Sequence, residues 1–261
     1  MCMKRNGRVA ATLVILGAAV AFLAHYSFSA ITAVAPVYEL GGDLPTIVID
    51  AGHGNFDGGA IGVDNIVEKD INLAIARNLY DLFTVNGFDA VLTRQGDESL
   101  HSSEFDSAST RKKKNSDIHN RMEIAKSYPN SILLSIHQNK FPREKYWGAQ
   151  VFYGPKNESS KALGEIMQRR LIEMVQPENT RVYKACDDNV YLIYNAPMPS
   201  LLIECGFLSN PEEAHKLIDP AYQKQIAFAI FSGTAEYLGL ETSQPDELTA
   251  PSEAGEAENI P

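Results

Sequence analysis

Cysteine is nearly missing from this chain. Three stand at Cys2, Cys186 and Cys205, too few for a disulfide framework. Cys186 and Cys205 can either pair outside the cell or lie as two small buried thiols, and the second reading is the expected one. Cys2 precedes an apolar run but lacks the upstream residues of a lipoprotein signal. Basic charge is also in deficit: 23 Lys and Arg against 33 Asp and Glu leave a net charge of −10. A chain this acidic is a poor phosphate binder, so no nucleic-acid partner is expected. No internal repeat is visible. Metal-ligating side chains do not come in close pairs either, which excludes a local zinc finger.

What is present suits one α/β domain with appendages. The chain has 261 residues, 44% of them hydrophobic, enough for a domain of about 200 residues. Lys4, Arg5 and Arg8 precede an apolar run from Val9 to Ala24, the basic-then-apolar order of an export signal. Ala33-Val34-Ala35 resembles a cleavage site, but Pro36 follows it directly, so residues 1–35 read as an uncleaved anchor in preference to a cleaved signal. Either way the body of the protein is exported across the cytoplasmic membrane. Residues 36–44 read as a linker, 45–240 as the catalytic domain, and 241–261 as an acidic disordered tail.

Within the domain, Thr46–Asp50 is a short apolar run of the kind buried on both faces of a sheet. A Gly-rich loop runs from Gly52 to Gly62. Ile71, Ile75, Leu79, Leu82 and Phe83 then fall on one face of a helix. Further strands are expected at 89–93, 131–136, 149–153, 191–193 and 201–203. Helices are expected at about 117–126, from a cap at Ser159, and over about 221–238. The polar stretch 95–116, with Arg111-Lys112-Lys113-Lys114, reads as a long loop: a solvated basic turn or a binding patch. Alternating strands and helices predict an α/β fold, a single domain with a largely parallel or mixed central sheet flanked by helices on both faces.

Four residues carry the chemistry. His53 sits in Gly52-His53-Gly54, just past the first strand. Glu68 opens the first helix. His137 and Glu204 directly end two apolar strands. Ligands bind at the carboxyl ends of strands in open α/β sheets, so these four positions can converge. Two His and one Glu leave one position of a zinc ion open to water, and a fourth, unshared carboxylate can handle protons. Each has a plain alternative. Glu68 could serve the positive end of its helix, and His137 could be a satisfied core imidazole. Glu204, after Leu201-Leu202-Ile203, is costly to bury without a partner or a metal. Asp50 and Asn139 are candidates for the surrounding support: a ligating His usually donates its second N–H to a carboxylate or carbonyl, although Asp50 could equally bond loop amides. Arg94 and Arg121 could grip a peptide carboxylate; for Arg121 a structural salt bridge is the expected reading. His25, His101, His119 and His215 are not assigned to a metal.

The strings Ile49-Asp50-Ala51-Gly52-His53-Gly54, Glu68-Lys69-Asp70 with Asn72-Leu73, Leu134-Ser135-Ile136-His137-Gln138-Asn139 and Leu202–Asn210 resemble, in this order, the zinc-dependent N-acetylmuramoyl-L-alanine amidases of the Amidase_3 family. The resemblance covers Thr46 to about Leu240. It implies a phosphorylase/hydrolase-like fold and a Zn²⁺ cofactor on His53, Glu68 and His137. It also implies Glu204 as the catalytic acid–base, and peptidoglycan as substrate. Gln138 departs from the family pattern, where a small residue is usual, and could alter the cleft. The anchor without wall-binding repeats, and Arg111–Asp117 running into Asn120-Arg121, resemble the family's sporulation and germination type. That type implies muramic-δ-lactam formation in spore cortex, a site of action in the forespore intermembrane space and a possible activating protein partner. The rivals are a general cell-wall autolysin, a zinc peptidase and a catalytically silent wall-binding protein.

Overall fold

A computed structural model of the chain describes residues 44–240. The expected anchor, all but the last residue of the linker, and the acidic tail lie outside the described residues. Among the described residues no helix is long and apolar enough to cross a membrane.

The six strands are β1 (Thr46–Ala51), β2 (Ala90–Leu92), β3 (Ser131–Asn139), β4 (Gln150–Tyr153), β5 (Lys184–Ala185) and β6 (Ser200–Phe207). They form one sheet in the order β2-β1-β3-β6-β4-β5. The first four in that order run parallel, and β4 lies antiparallel to β6. The helices are α1 (Glu68–Val85), α2 (Thr110–Lys126), α3 (Ser159–Met174), α4 (Tyr191–Asn195), α5 (Pro211–Leu217) and α6 (Pro220–Tyr237).

Strand alternation decides what each face buries. Ile47, Ile49, Leu134 and Ile203 pack with Ile75 of α1, Leu163 of α3 and Ile230 of α6. Val48, Leu133 and Leu202 face the other way, against Met122 of α2 and Leu192 of α4. Both faces are covered, as the unbroken apolar runs of β1, β3 and β6 require. The thinner layer of α2 and α4 leaves room for a cleft at the carboxyl ends of β1 and β3.

Four expectations on local structure need correction. Tyr191-Leu192-Ile193 is helical, not a strand: Tyr194 N–H bonds to Val190 O at 2.9 Å and closes a helical turn, and both edges of β6 are already taken by β3 and β4. The sixth strand is instead the exposed pair Lys184–Ala185. Helix α2 starts at Thr110, seven residues early, so Arg111–Lys114 are helical and the loop is shorter. Lys and Arg are good helix formers without any apolar stripe, and α2 buries only Arg121, Met122 and Ala125. Ser159 does not cap α3; the Asn157 side chain accepts from Ser159 N–H at 3.0 Å. His137 and Glu204 lie inside their strands, which continue to Asn139 and Phe207.

Candidate metal centre

Strand β1 delivers the chain to Gly52, packed so tightly that a Cβ there would lie 2.3 Å from the His137 ring. His53 follows with φ +64°. The left-handed turn thus falls on the histidine itself, a conformation uncommon for a residue with a Cβ and one that clusters at functional sites. It is held there by the His53 carbonyl, which accepts from Arg121 Nη2 at 2.7 Å, and by the ring, whose Nδ1 meets Asp57 Oδ2 at 2.9 Å. That leaves Nε2 free to point inward, 3.3 Å from Glu68 Oε1.

Glu68, the first residue of α1, is buried. Its Oε2 accepts from Ala60 N–H at 2.7 Å. Its Oε1 accepts from Gln138 N–H at 3.1 Å and Asn72 Nδ2 at 3.2 Å, and meets His137 Nδ1 at 2.9 Å. One nitrogen from each histidine and one Glu68 oxygen lie within 4.8 Å of one another. The two imidazoles stand edge to face with centroids 4.9 Å apart. Gly59 closes the third side: a Cβ there would sit 2.5 Å from Glu68 Oε2 and 2.6 Å from His53 Cδ2.

Burial opposes charge here, but the partners outweigh it. Burial alone would lower the His53 pKa, yet the Asp57 and Glu68 carboxylates raise it to about 9. Burial would raise Glu68, yet hydrogen bonds and charge from His137 and His53 hold it far below the usual carboxylate range. Two imidazole nitrogens and a carboxylate oxygen within reach of one another make a donor set for a cation, which would have to displace the proton that the Asp57 and Glu68 charges hold on His53.

Glu204 is the register partner of His137 across β3 and β6, so both side chains project to the same face. Its Oε2 is buried and has no hydrogen-bond partner. Burial pushes its pKa up to about 7; the His137 ring pulls it down, while the Glu68 charge adds to the rise. A cleft of about 440 Å³ opens at His53 and His137 and is lined further by Phe56, Lys114, Tyr191 and Leu202, among others.

The supporting residues differ from expectation. Asp50 bonds neither His53, nor His137, nor loop amides. It is buried, accepting from Arg121 Nη1 at 2.6 Å, Thr93 Oγ1 at 2.7 Å and Ser135 Oγ at 2.6 Å. Asp57 holds the His53 ring instead; a carboxylate inside a Gly-rich loop carries no periodic signal, although its four-residue spacing from His53 was visible. Asn72, one helical turn after Glu68, braces that carboxylate. Gln138 points away from the cleft, donating from Nε2 to Asn72 Oδ1 at 3.2 Å, so it supports the brace. Arg94 is buried and spends its donors on the Ala51, Gly52, Lys69 and Gly96 carbonyls, which leaves it structural. Arg121 makes the expected salt bridges, to Asp50 and to Asp117 at 2.5 Å. Asn139 offers its backbone carbonyl to Leu208 N–H at 2.8 Å. His101, His119 and His215 bond Asp106, the Asn115 carbonyl and Asp64 respectively. Cys186 and Cys205 are buried free thiols, pushed up in pKa by burial.

Residues 47–236 match the family model described as N-acetylmuramoyl-L-alanine amidase. The germination-specific N-acetylmuramoyl-L-alanine amidase of Bacillus subtilis is 34% identical over 77% of this chain and 82% of its own length. AmiA of Escherichia coli is 28% identical over 78% of this chain and 79% of its own. Among solved structures, the CwlD amidase of Clostridioides difficile, in complex with the GerS lipoprotein, superposes with a TM-score of 0.72. It is 43% identical and covers 76% of this chain and 100% of that one. The catalytic domain of CwlV from Bacillus (Paenibacillus) polymyxa gives 0.63 at 28% identity, over 76% of this chain and 100% of that one. The chain belongs to the N-acetylmuramoyl-L-alanine amidases, cell-wall enzymes that cleave the amide between N-acetylmuramic acid and L-alanine.

Proposed function

We propose that His53, Glu68 and His137 hold a zinc ion, that Glu204 carries protons for amide hydrolysis, and that the enzyme acts on spore cortex peptidoglycan to form muramic-δ-lactam. One observation carries the catalytic reading: three donor atoms from three separate elements meet within 4.8 Å, with an unpartnered buried carboxylate on the adjacent strand. The donor set fits a zinc ion, being two nitrogens and one oxygen with room for a fourth partner. Gly52 and Gly59, where a Cβ would strike the His137, Glu68 and His53 side chains, let the backbone pack directly against all three and hold them close together.

Zinc bound there would supply Lewis acidity, making water acidic near neutral pH and polarising the amide carbonyl. Asp57 holds His53 Nδ1 and so directs Nε2 toward the ion. Ala60 N–H, Gln138 N–H and Asn72 keep Glu68 aimed. Glu204, buried beside His137 with no hydrogen-bond partner of its own on Oε2, is placed to accept a proton from the attacking water and return it to the departing alanine nitrogen. Without that return the nitrogen would have to leave as an amide anion. Asp57→Asn is expected to weaken zinc binding about 10- to 100-fold, read by competition with a chelator. Unchanged affinity would remove Asp57 from the site's support.

The similarity to a germination-specific amidase and to CwlD supports the cortex role. A lipoprotein partner is part of the same reading, because that CwlD was solved with one. So are export and the proposed anchor in residues 1–35. Mass spectrometry of spore muropeptides with and without the gene tests it. Loss of muramic lactam is expected; a cell-separation defect with lactam intact would mark a general autolysin instead. Less than one zinc per chain in the purified protein would count against the metal assignment and favour the silent wall binder.

A further inference from the structure

We propose that Arg181 and Lys145 form a carboxylate-binding subsite that grips the peptide half of the substrate beside Glu204. The inference rests on the proposed catalytic role of Glu204 and names what lies next to it. Gln150 on β4 is the antiparallel register partner of Glu204. Such pairs share a face, with Cβ atoms about 5 Å apart. Arg181 Nη1 donates to Gln150 Oε1 at 3.1 Å, so its guanidinium is tied to the strand position flanking the catalytic carboxylate.

The guanidinium is also held in place from other sides. Nε donates to the Trp147 carbonyl at 2.7 Å, and Cζ lies 4.3 Å from the centre of the Phe207 ring. Arg181 N–H donates to Asn179 Oδ1 at 2.9 Å. Asn179 is itself buried and fixed through the Ala149 carbonyl. An arginine fixed in this way has lost its rotamer freedom before any ligand arrives.

It nevertheless has no carboxylate within ion-pair distance among the described residues. Glu213, an acid whose charge reaches it, is committed to the Gly148 and Phe207 amides and to Gln176. Arg181 lines a pocket of about 300 Å³ with Lys145, Tyr146, Trp147, Asn179 and Thr180. Two cations and no acid border this pocket, in a chain whose net charge is −10. The basic stretch on α2 is a weaker candidate, because its cleft-facing Lys114 already pairs with Asp57 at 2.7 Å.

The substrate's chemistry names the ligand. The scissile amide uses up the lactyl carboxyl of the muramic acid, so free carboxylates belong to the peptide. A guanidinium with spare N–H groups and an ammonium bordering the same pocket match a carboxylate oxygen pair.

The test uses the full chain and two L-alanyl peptides, one with its side-chain and terminal carboxylates free and one with them converted to carboxamides. Binding is measured by calorimetry, independently of turnover, and hydrolysis is measured on the matching muramoyl peptides. The wild type should bind the free acid about 10- to 100-fold more tightly, the usual worth of a charge-assisted hydrogen bond, with the difference appearing in KM. Arg181→Gln should abolish most of that preference and Lys145→Gln part of it. Equal binding of acid and amide by the wild type would overturn the subsite, as would an Arg181→Gln variant that binds both more weakly but keeps the preference. Failure of the catalytic reading would show separately, as preferential binding of the acid without zinc-dependent hydrolysis of either muramoyl peptide.

Discussion

Replacing Glu204 by Gln is expected to yield a folded, zinc-loaded protein with turnover reduced about 10²- to 10⁴-fold, the span that a positioned acid–base group contributes. Glu204 lies outside the three-atom cluster of His53, Glu68 and His137, so zinc content should stay at one per chain. The isosteric amide still fills the space but can neither take nor return a proton. Stability should move the other way. The folded pKa of about 7 lies above the ordinary 4.5, so in the metal-free protein the ionised carboxylate works against folding. That penalty is absent below pH 4.5 and grows as pH rises through 7. Glu204→Gln should therefore stabilise the metal-free chain at pH 8, by on the order of 3 kcal/mol, and leave it unchanged at pH 4. A site that spends stability on function behaves in this way. A bound cation lowers the pKa, so the acid limb of the rate profile should fall at or below pH 7. Turnover near the wild-type rate in the Gln variant would dismiss Glu204 as the proton carrier.

The parts of this molecule that could be read from sequence are those with a period or a cost. Strands β1, β3 and β6 are apolar runs that only a covered sheet tolerates, and α1 repeats its apolar residues every three or four positions. Glu204 stood out because a carboxylate after three aliphatic residues needs a reason. Tyr191-Leu192-Ile193 has neither feature: three apolar residues suit one helical turn as well as a short strand, and only the occupied edges of β6 decide between them. Helix α2 shows no apolar stripe because its main buried side chain is an arginine. Asp57 and the split between Asp50 and Asp57 could not be read, since which carboxylate meets His53 depends on how the 52–62 loop folds back. Once that loop turns at His53, Asp57 reaches the imidazole and Asp50 is left pointing at Arg121.

That pairing sets the second large effect. Arg121→Met should cost about 3–5 kcal/mol, the usual result of stripping one partner from a buried ion pair, and lower the melting temperature by on the order of 10 °C for a domain this size. Asp50 would keep its hydroxyl donors, Ser135 and Thr93, but lose the guanidinium. Burial pushes Asp50 up, while the Arg121 charge and the two hydroxyls bring it down to about 2 from the ordinary 3.8. A depressed carboxylate contributes stability that is present above its unfolded pKa and lost as pH falls through the folded one. The wild type should thus lose about 2 kcal/mol between pH 4 and pH 2 from this group. The variant has little of that term to lose, so the gap between the two proteins should narrow over the same interval. Arg121 also donates to the Ala51 and His53 carbonyls, holding the strained turn that presents the imidazole. The variant's zinc affinity should therefore fall at temperatures where it is still folded. A stability gap that stays constant from pH 5 to pH 2 would mean that Arg121 works through packing alone, and that its charge does not hold Asp50 ionised.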